Sequence, residues 1–391
     1  MERDKPMYIS LTGEKSHKVT IPAGQGSFSI GTKEISEGKY DVWVEKDSPI
    51  NWNAFNEFYT LSGKQNAERY PNGNWPRFFY YSGNDKGFID WSFQRKIEDF
   101  HWTPKENLSV DLTKANINRF FLHTEANIIE LSIGDSILSL FLSGNLENIY
   151  IERCTIVPRL SFAPFFSKID PKPYQLPIYK SLEKTTSVEI SSSPIGQAFD
   201  CKSILQFSNL TSLNLSGNLV NLEALAELKH LERIGLRFVP DLTDMPKLTT
   251  WKSLKSFIGW NIEETAGKVL KTELNALSKE KELDYSNVSK LRKTIWFITE
   301  YGIPFSGWED KSAKIATKAY KVCLKEVKKL KKESEIRKAI IEFVEVINKL
   351  PNIETSERED VGIAVSQLVK SSVLDISEET GNKWFDEIRD F

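Results

Sequence analysis

The chain has 391 residues, with 52 Lys and Arg against 54 Asp and Glu, for a net charge of −2. Its length suits two or three domains, its 40% apolar and 27% charged residues suit a soluble globular protein, and its charge balance argues against wholesale nucleic-acid binding. Three scattered cysteines (Cys154, Cys201, Cys323) offer neither a disulfide framework nor a zinc site, the first residues lack a secretory apolar region, and no run of 18 apolar residues could span a membrane, so the expected setting is the cytoplasm.

Residues 1–105 read as a mostly β domain rich in aromatics. Between Tyr40 and Trp102 lie 17 Phe, Tyr and Trp in 63 residues. Short β-favouring stretches (Tyr8–Leu11, Ser27–Ile30, Tyr40–Val44, Arg77–Tyr81) alternate with turn signals at Pro71-Asn72-Gly73-Asn74 and Ser82-Gly83-Asn84. The aromatics fill a core or form a binding surface, and composition leaves both open.

Residues 106–262 carry an internal repeat. Ile117-x-x-Phe120-x-Leu122, Ile128-x-x-Leu131-x-Ile133, Ile137-x-x-Leu140-x-Leu142 and Leu146-x-x-Ile149-x-Ile151 share one spacing. Nine residues cannot complete a coil and return to a parallel neighbour, but two such steps can. Coils of about 20 residues therefore place Leu131 and Ile149 on one face and Phe120 and Leu140 on the other. An antiparallel meander competes, since Gly134-Asp135-Ser136 and Ser143-Gly144-Asn145 would also make hairpin turns.

The later half favours the coil. Leu210-x-x-Leu213-x-Leu215-x-x-Asn218-x-Val220 fits the leucine-rich-repeat template, followed by Leu231-x-x-Ile234-x-Leu236 and Leu254-x-x-Phe257, with Val188-x-Ile190 upstream. The spacing predicts parallel strands at 131–133, 149–151, 188–190, 213–215, 234–236 and 257–259. Leu222, Leu225 and Leu228 should line the return, and the proline-rich stretch between 158 and 177 should be irregular.

Residues 263–391 read as an α-helical domain. Helix-forming composition runs from Glu263 to Leu283, an apolar segment from Leu291 to Thr299, and amphipathic helices from Ser312 to Lys332 and from Ile336 to Leu350. Ser356-x-x-Glu359 has the form of a capping box, and a short helix surrounds Trp384. The fold class expected is thus α+β: a β domain, a leucine-rich-repeat α/β solenoid and a helical domain. Lys311, Lys314, Lys318, Lys321, Lys325, Lys328 and Lys332 form a stripe opposite the apolar face. It reads as a solvated face or as an anchor for an acidic partner or nucleic acid, the latter weakened by Lys in place of Arg and by the lack of interleaved aromatics.

The strings Trp260-Asn261-Ile262-Glu263-Glu264, Tyr301-Gly302-Ile303-Pro304-Phe305 and Ile353-Glu354-Thr355-Ser356-Glu357-Arg358-Glu359-Asp360-Val361 resemble bacterial cytoplasmic leucine-rich-repeat proteins with a helical C-terminal extension. The resemblance covers roughly residues 107–370. It implies a habit of lying beside secreted polymorphic toxins, and an immunity role, but brings no catalytic residue. Asn145 and Asn218 meet the family's Asn position; Val239 and Ile262 depart from it.

The sequence shows no phosphate loop, no nucleophile elbow and no metal-ligand spacing, so no catalytic, cofactor or metal residue is expected. The acidic pairs Glu98/Asp99, Asp241/Asp244 and Glu263/Glu264 read as structural, as do His101 and the chance Ser181-x-x-Lys184 match. Side chains alternating outward along the repeats, on the concave face of the solenoid, should meet a protein partner. Tyr150, Glu152, Glu189, Asn214, Arg233, Arg237 and Trp260 are the candidates, with a toxin as one partner. Nucleic acid and membrane are not expected as partners, and the oligomeric state stays open. A scaffold or adaptor, and a carbohydrate-active enzyme sited in residues 1–105, are the alternatives.

Overall fold

The computed structural model describes residues 7–9, 19–21, 26–32, 40–44, 48–57, 77–166, 170–293, 296–297, 305, 308–351, 353 and 355–390. The Pro71–Asn74 turn, residues 301–304, Glu354 and residues 294, 295, 298 and 299 of the Leu291–Thr299 segment lie outside them. The chain is mixed α/β with a large parallel sheet. It divides into two compact units, Met1–Arg292 and Lys293–Phe391, where three domains were expected.

In the first unit the strands are β1 (Met7–Ile9), β2 (Val19–Ile21), β3 (Ser27–Thr32), β4 (Val42–Val44), β5 (Phe78–Ser82), β6 (Ile97–Thr103), β7 (Leu108–Leu112), β8 (Ile117–Thr124), β9 (Ile129–Ile133) and β10 (Ser139–Gly144). They continue with β11 (Ile149–Cys154), β12 (Arg159–Pro164), β13 (Ser187–Ser191), β14 (Ala198–Asp200), β15 (Ser212–Ser216), β16 (Asn218–Val220), β17 (Arg233–Val239), β18 (Ser256–Ile262) and β19 (Asn287–Ser289). Twelve of them form one sheet in the order β19-β18-β17-β15-β13-β12-β10-β8-β6-β5-β3-β4. Every pairing in that sheet is parallel, which excludes the meander. The boundary expected near residue 105 is absent, because β6 pairs with both β5 and β8. The boundary expected at 262 moves to 292, because β19 adds a strand beside β18.

The register explains the architecture. Phe79, Phe100, Phe120, Leu140, Leu160, Val188, Leu213, Ile234 and Phe257 stand in line across successive strands, 20 to 28 residues apart. Each is at most 2% exposed. One residue in two points inward along a strand, so a one-residue slip would turn this whole apolar row to solvent.

From β6 onward the chain returns between strands of the large sheet first through strands, then through 3-10 turns. The strands β7, β9 and β11 make a separate parallel sheet, and β14 pairs with β16. Turns at Cys201–Gln206 and Leu222–Glu227 bury Ile204, Leu222 and Leu225 against the same core. The last return is a full helix, α2 (Glu264–Glu280), after a short α1 (Phe88–Gln94) earlier in the unit. Glu263 caps α2 by accepting from the amides of Thr265 and Ala266 at 2.9 and 2.8 Å, and Leu270, Leu274 and Leu277 are buried on one side.

The expected phase is half right. Leu131 and Ile149 do lie opposite Phe120 and Leu140, but in the three-stranded sheet, so they do not continue into Val188. The missing link is β12, whose Leu160 and Phe162 carry the row from β10 to β13. It sits in the stretch read as irregular. Pro164 is its last residue, where a strand tolerates the missing N–H, and the prolines at 171, 173 and 177 fall in the return.

Gly144 turns the chain out of β10 at φ 87°. An added Cβ there would meet the Thr124 carbonyl oxygen in a space already filled by the backbone of the strand alongside. Positive φ recurs at later strand ends, at Gly217 and Lys290 just past β15 and β19 and at Phe238 and Asn261 one residue before the ends of β17 and β18. Among the described residues of the Tyr40–Trp102 stretch, most aromatics are core. Trp52, Phe55, Phe79, Phe88, Trp91 and Phe100 pack with centroids 4.1–6.3 Å apart. Asp85 ties Trp52 to this cluster by accepting from its indole N–H at 2.6 Å.

The second unit contains α3 (Asp310–Val327), α4 (Glu333–Asn348), α5 (Thr355–Lys370) and α6 (Glu378–Asp386). Its core joins Phe305, Ala316, Tyr320, Ile340, Phe343, Val365, Leu368 and Trp384. The capping box shifts: α5 already begins at Thr355, so Ser356 lies inside its first turn. Trp308 donates its indole N–H to Asp360 at 3.0 Å, and burial raises the Asp360 pKa against that bond. All seven lysines of the stripe are exposed.

Two outcomes follow. Leu213→Asp places a carboxylate in a fully buried row and should abolish the cooperative calorimetric transition of the first unit. Truncation after Leu283 removes β19 and the Arg292–Asn261 hydrogen bond (2.9 Å), and should lower the melting temperature relative to truncation after Arg292.

Candidate functional site

The side chains that alternate away from the core line the outer face of the twelve-stranded sheet. Its middle row runs Ser29, Tyr80, His101, Phe121, Phe141, Ser161, Glu189, Asn214, Gly235, Ile258. At about 4.8 Å per strand, the nine strands from Tyr80 to Ile258 span roughly 38 Å.

The first part of this row is an aromatic ladder. Tyr80 and His101 stack at 4.3 Å and 20°, His101 and Phe121 at 3.8 Å and 10°, Phe121 and Phe141 at 4.0 Å and 11°. In-register parallel strands impose this arrangement, since each ring stands beside its equivalent one strand away. The rings therefore face each other. They border a cleft of about 530 Å³ lined also by Tyr40, Thr103, His123, Ser143, Ser161 and Ala163.

Charge is confined to the edges of the ladder. Arg119 pairs with Asp99 and, at 3.7 Å, with Glu98, which Arg77 reaches at 3.5 Å. Burial, and next the Arg119 charge, push the His101 pKa from 6.5 down to about 4, so its ring stacks as the neutral imidazole near pH 7.

The far part of the face is polar and cationic. Arg233 and Arg237 project from β17, and Trp260 stands in register with Arg237. Glu232 receives Lys255 at 2.9 Å and Arg233 at 3.9 Å; the Lys255 hydrogen bond holds its carboxyl below the usual range. Arg237 is exposed and, among the described residues, has no ion-pair partner. Phe238 meets Trp260 edge to face at 4.8 Å and 89°. Phe238 holds φ 53°, a conformation that costs a bulky side chain on the order of 1–3 kcal/mol. Asn214 leans over Gly235, where an added Cβ would fall 2.1 Å from its amide oxygen.

Five of the seven expected contact residues, Glu189, Asn214, Arg233, Arg237 and Trp260, thus share this face. Tyr150 and Glu152 do not. They lie on β11, in the three-stranded sheet, where Tyr150 is 53% exposed beside Glu130. The phase error described above moved them. The ladder was missed for the same reason, although Phe79-Tyr80, Phe100-His101, Phe120-Phe121 and Leu140-Phe141 recur every 20 or 21 residues. That signal becomes readable once the phase is known.

Groups with chemical potential elsewhere are tied to the fold. Ser181 donates to the Ile151 carbonyl at 2.8 Å, and Asp241 accepts from the amide and hydroxyl of Thr243 at 2.8 and 2.6 Å. Burial, the leading cause in each case, pushes the Cys154 thiol up to about 11, Cys323 to about 12, and Cys201 further still. Among the described residues, no three His, Cys, Asp or Glu gather as metal ligands, and no helix is long and apolar enough to cross a membrane. The chain matches no protein-family model, no curated protein and no solved structure.

The His101 shift has a measurable consequence. Between pH 6.5 and about 4 the unfolded chain binds a proton that the folded ring refuses, so the stability is complete above pH 6.5 and declines toward pH 4. The fall in melting temperature from pH 7 to pH 5 should be smaller in His101→Phe, which keeps the stack and removes the titration.

Proposed function

We propose that this chain is a non-catalytic binding protein that holds another protein stoichiometrically against the outer face of the twelve-stranded sheet. In this reading the first unit is a leucine-rich-repeat solenoid and that face is its recognition surface. The solenoid part is supported by in-register parallel strands recurring every 20 to 28 residues and by returns that shorten to 3-10 turns.

The observation that carries the functional part is the Arg237–Phe238–Trp260 corner. A guanidinium with no ion-pair partner among the described residues and an aromatic pair occupy adjacent strands, and Phe238 stays in a backbone conformation better suited to Gly or Asn. Aromatics and Arg supply most interface hot spots, and backbone strain concentrates where a surface is used. Raised thiol pKa values fit a protein without a thiolate nucleophile. A carbohydrate site on the ladder is disfavoured, because its rings spend their inner faces on one another and present edges outward. The sequence resemblance makes a toxin the specific partner to test first.

Co-expression with the protein encoded beside it is the direct experiment. An immunity factor should rescue growth only up to equimolar toxin; rescue by far less than one equivalent would mean turnover and defeat this reading. For any partner bound, Arg237→Ala and Trp260→Ala should each weaken binding about 30-fold, roughly 2 kcal/mol, in calorimetric titration. Tyr150→Ala and Glu152→Ala, on the other sheet, should leave affinity unchanged.

A further inference from the structure

We infer that the open end of the aromatic ladder is a subsite for an arginine side chain of the protein partner. This rests on the partner-binding reading above and names the group recognised.

The two ends of the ladder differ. Beyond Tyr80 the in-register residue is Ser29, whose hydroxyl and amide are both held by Asp41 at 2.7 and 2.8 Å. Tyr40 lies close over Gly31 on the same strand, within 2.1 Å of where a Cβ would stand. Beyond Phe141 the row continues with Ser161 and then Glu189. Ser161 puts a hydroxymethyl group where a fifth ring would stand, and Ala163 keeps the neighbouring position low. Both line the cleft together with Phe141. One face of Phe141 is thereby left to a ligand.

What lies across the gap selects that ligand. Glu189 is exposed, and among the described residues its side chain has neither an ion-pair nor a hydrogen-bond partner. Two strand intervals separate the Phe141 and Glu189 positions, about 9.6 Å. A flat group stacked about 4 Å from the ring leaves about 5–6 Å, which a glutamate side chain closes with a charge-assisted hydrogen bond of about 2.8 Å. The occupant must be flat on one side and cationic on the other. A guanidinium is both: it stacks on an aromatic face and pairs with a carboxylate through its fork. An ammonium offers no plane to continue the stack. A neutral ring would cover Glu189 without supplying a counter-charge. Arg159, two residues before Ser161 on the same strand, makes no ion pair with Glu189 among the described residues, so it does not already fill the role.

The test titrates Ac-Gly-Arg-Gly-amide into the full chain, following aromatic-ring NMR signals, with the lysine peptide and the uncharged citrulline peptide as comparisons. The arginine peptide should shift the Phe141 ring signal and bind at least about fivefold tighter than either comparison. Glu189→Gln and Phe141→Leu should each erase that preference, while Trp260→Ala keeps it. Equal binding of the citrulline peptide, a preference that survives Glu189→Gln, or no shift at Phe141 would overturn the inference. Because Glu189 is exposed, its variant should fold, and an unchanged melting temperature checks this. A chain that loses its protein partner on Trp260→Ala yet ignores the arginine peptide would sink this subsite alone. A chain indifferent to both changes would sink the reading on which it rests.

Discussion

Everything in the first unit hangs on the in-register stacking of parallel strands. Once Phe120, Leu140, Leu160, Val188, Leu213, Ile234 and Phe257 line up inward, the residue after each is forced outward beside its own equivalents. The buried row and the outer face are thus one constraint seen from two sides. The core fixes the spacing at which surface groups meet, and that spacing is close to the thickness of stacked rings. A ladder of four rings is a direct consequence.

The return path adapts to what remains between strands. Twenty-residue intervals use a second strand, as in β7, β9 and β11; later intervals use 3-10 turns; the last uses α2. Each choice buries an apolar stripe against the same core, so the large sheet runs unbroken although its backing changes. The left-handed corners belong to this scheme. Gly144 and Gly217 take them without strain, Asn261 tolerates one, and Phe238 takes one at a cost that places its ring on Trp260.

The outer face then divides by chemistry. At one side lie neutral stacked rings, with His101 uncharged because burial disfavours its proton. Farther along stand Glu189, Arg233 and Arg237 with Trp260. The paired strands fix where these groups stand, while the exposed Glu189 and Arg237 side chains keep their rotamer freedom. The second unit is built separately, from helices whose apolar spacing closes around Phe343 and Trp384.

The sequence alone determined the repeat spacing, the inward residues from Val188 onward, the helix after Glu263 and the helices of the second unit, because these follow from local periodicity. It also placed five of the seven proposed contact residues on one face. It did not decide which of two equally spaced series, Phe120 and Leu140 or Leu131 and Ile149, continues into the later repeats. Both are apolar at the same interval, and only the pairing of β12 with β10 and β13 breaks the tie. That one pairing moved Tyr150 and Glu152 to another sheet and brought Tyr80, His101, Phe121 and Phe141 together. Contacts between residues about 20 positions apart depend on register, and register is set by the packing of the whole core.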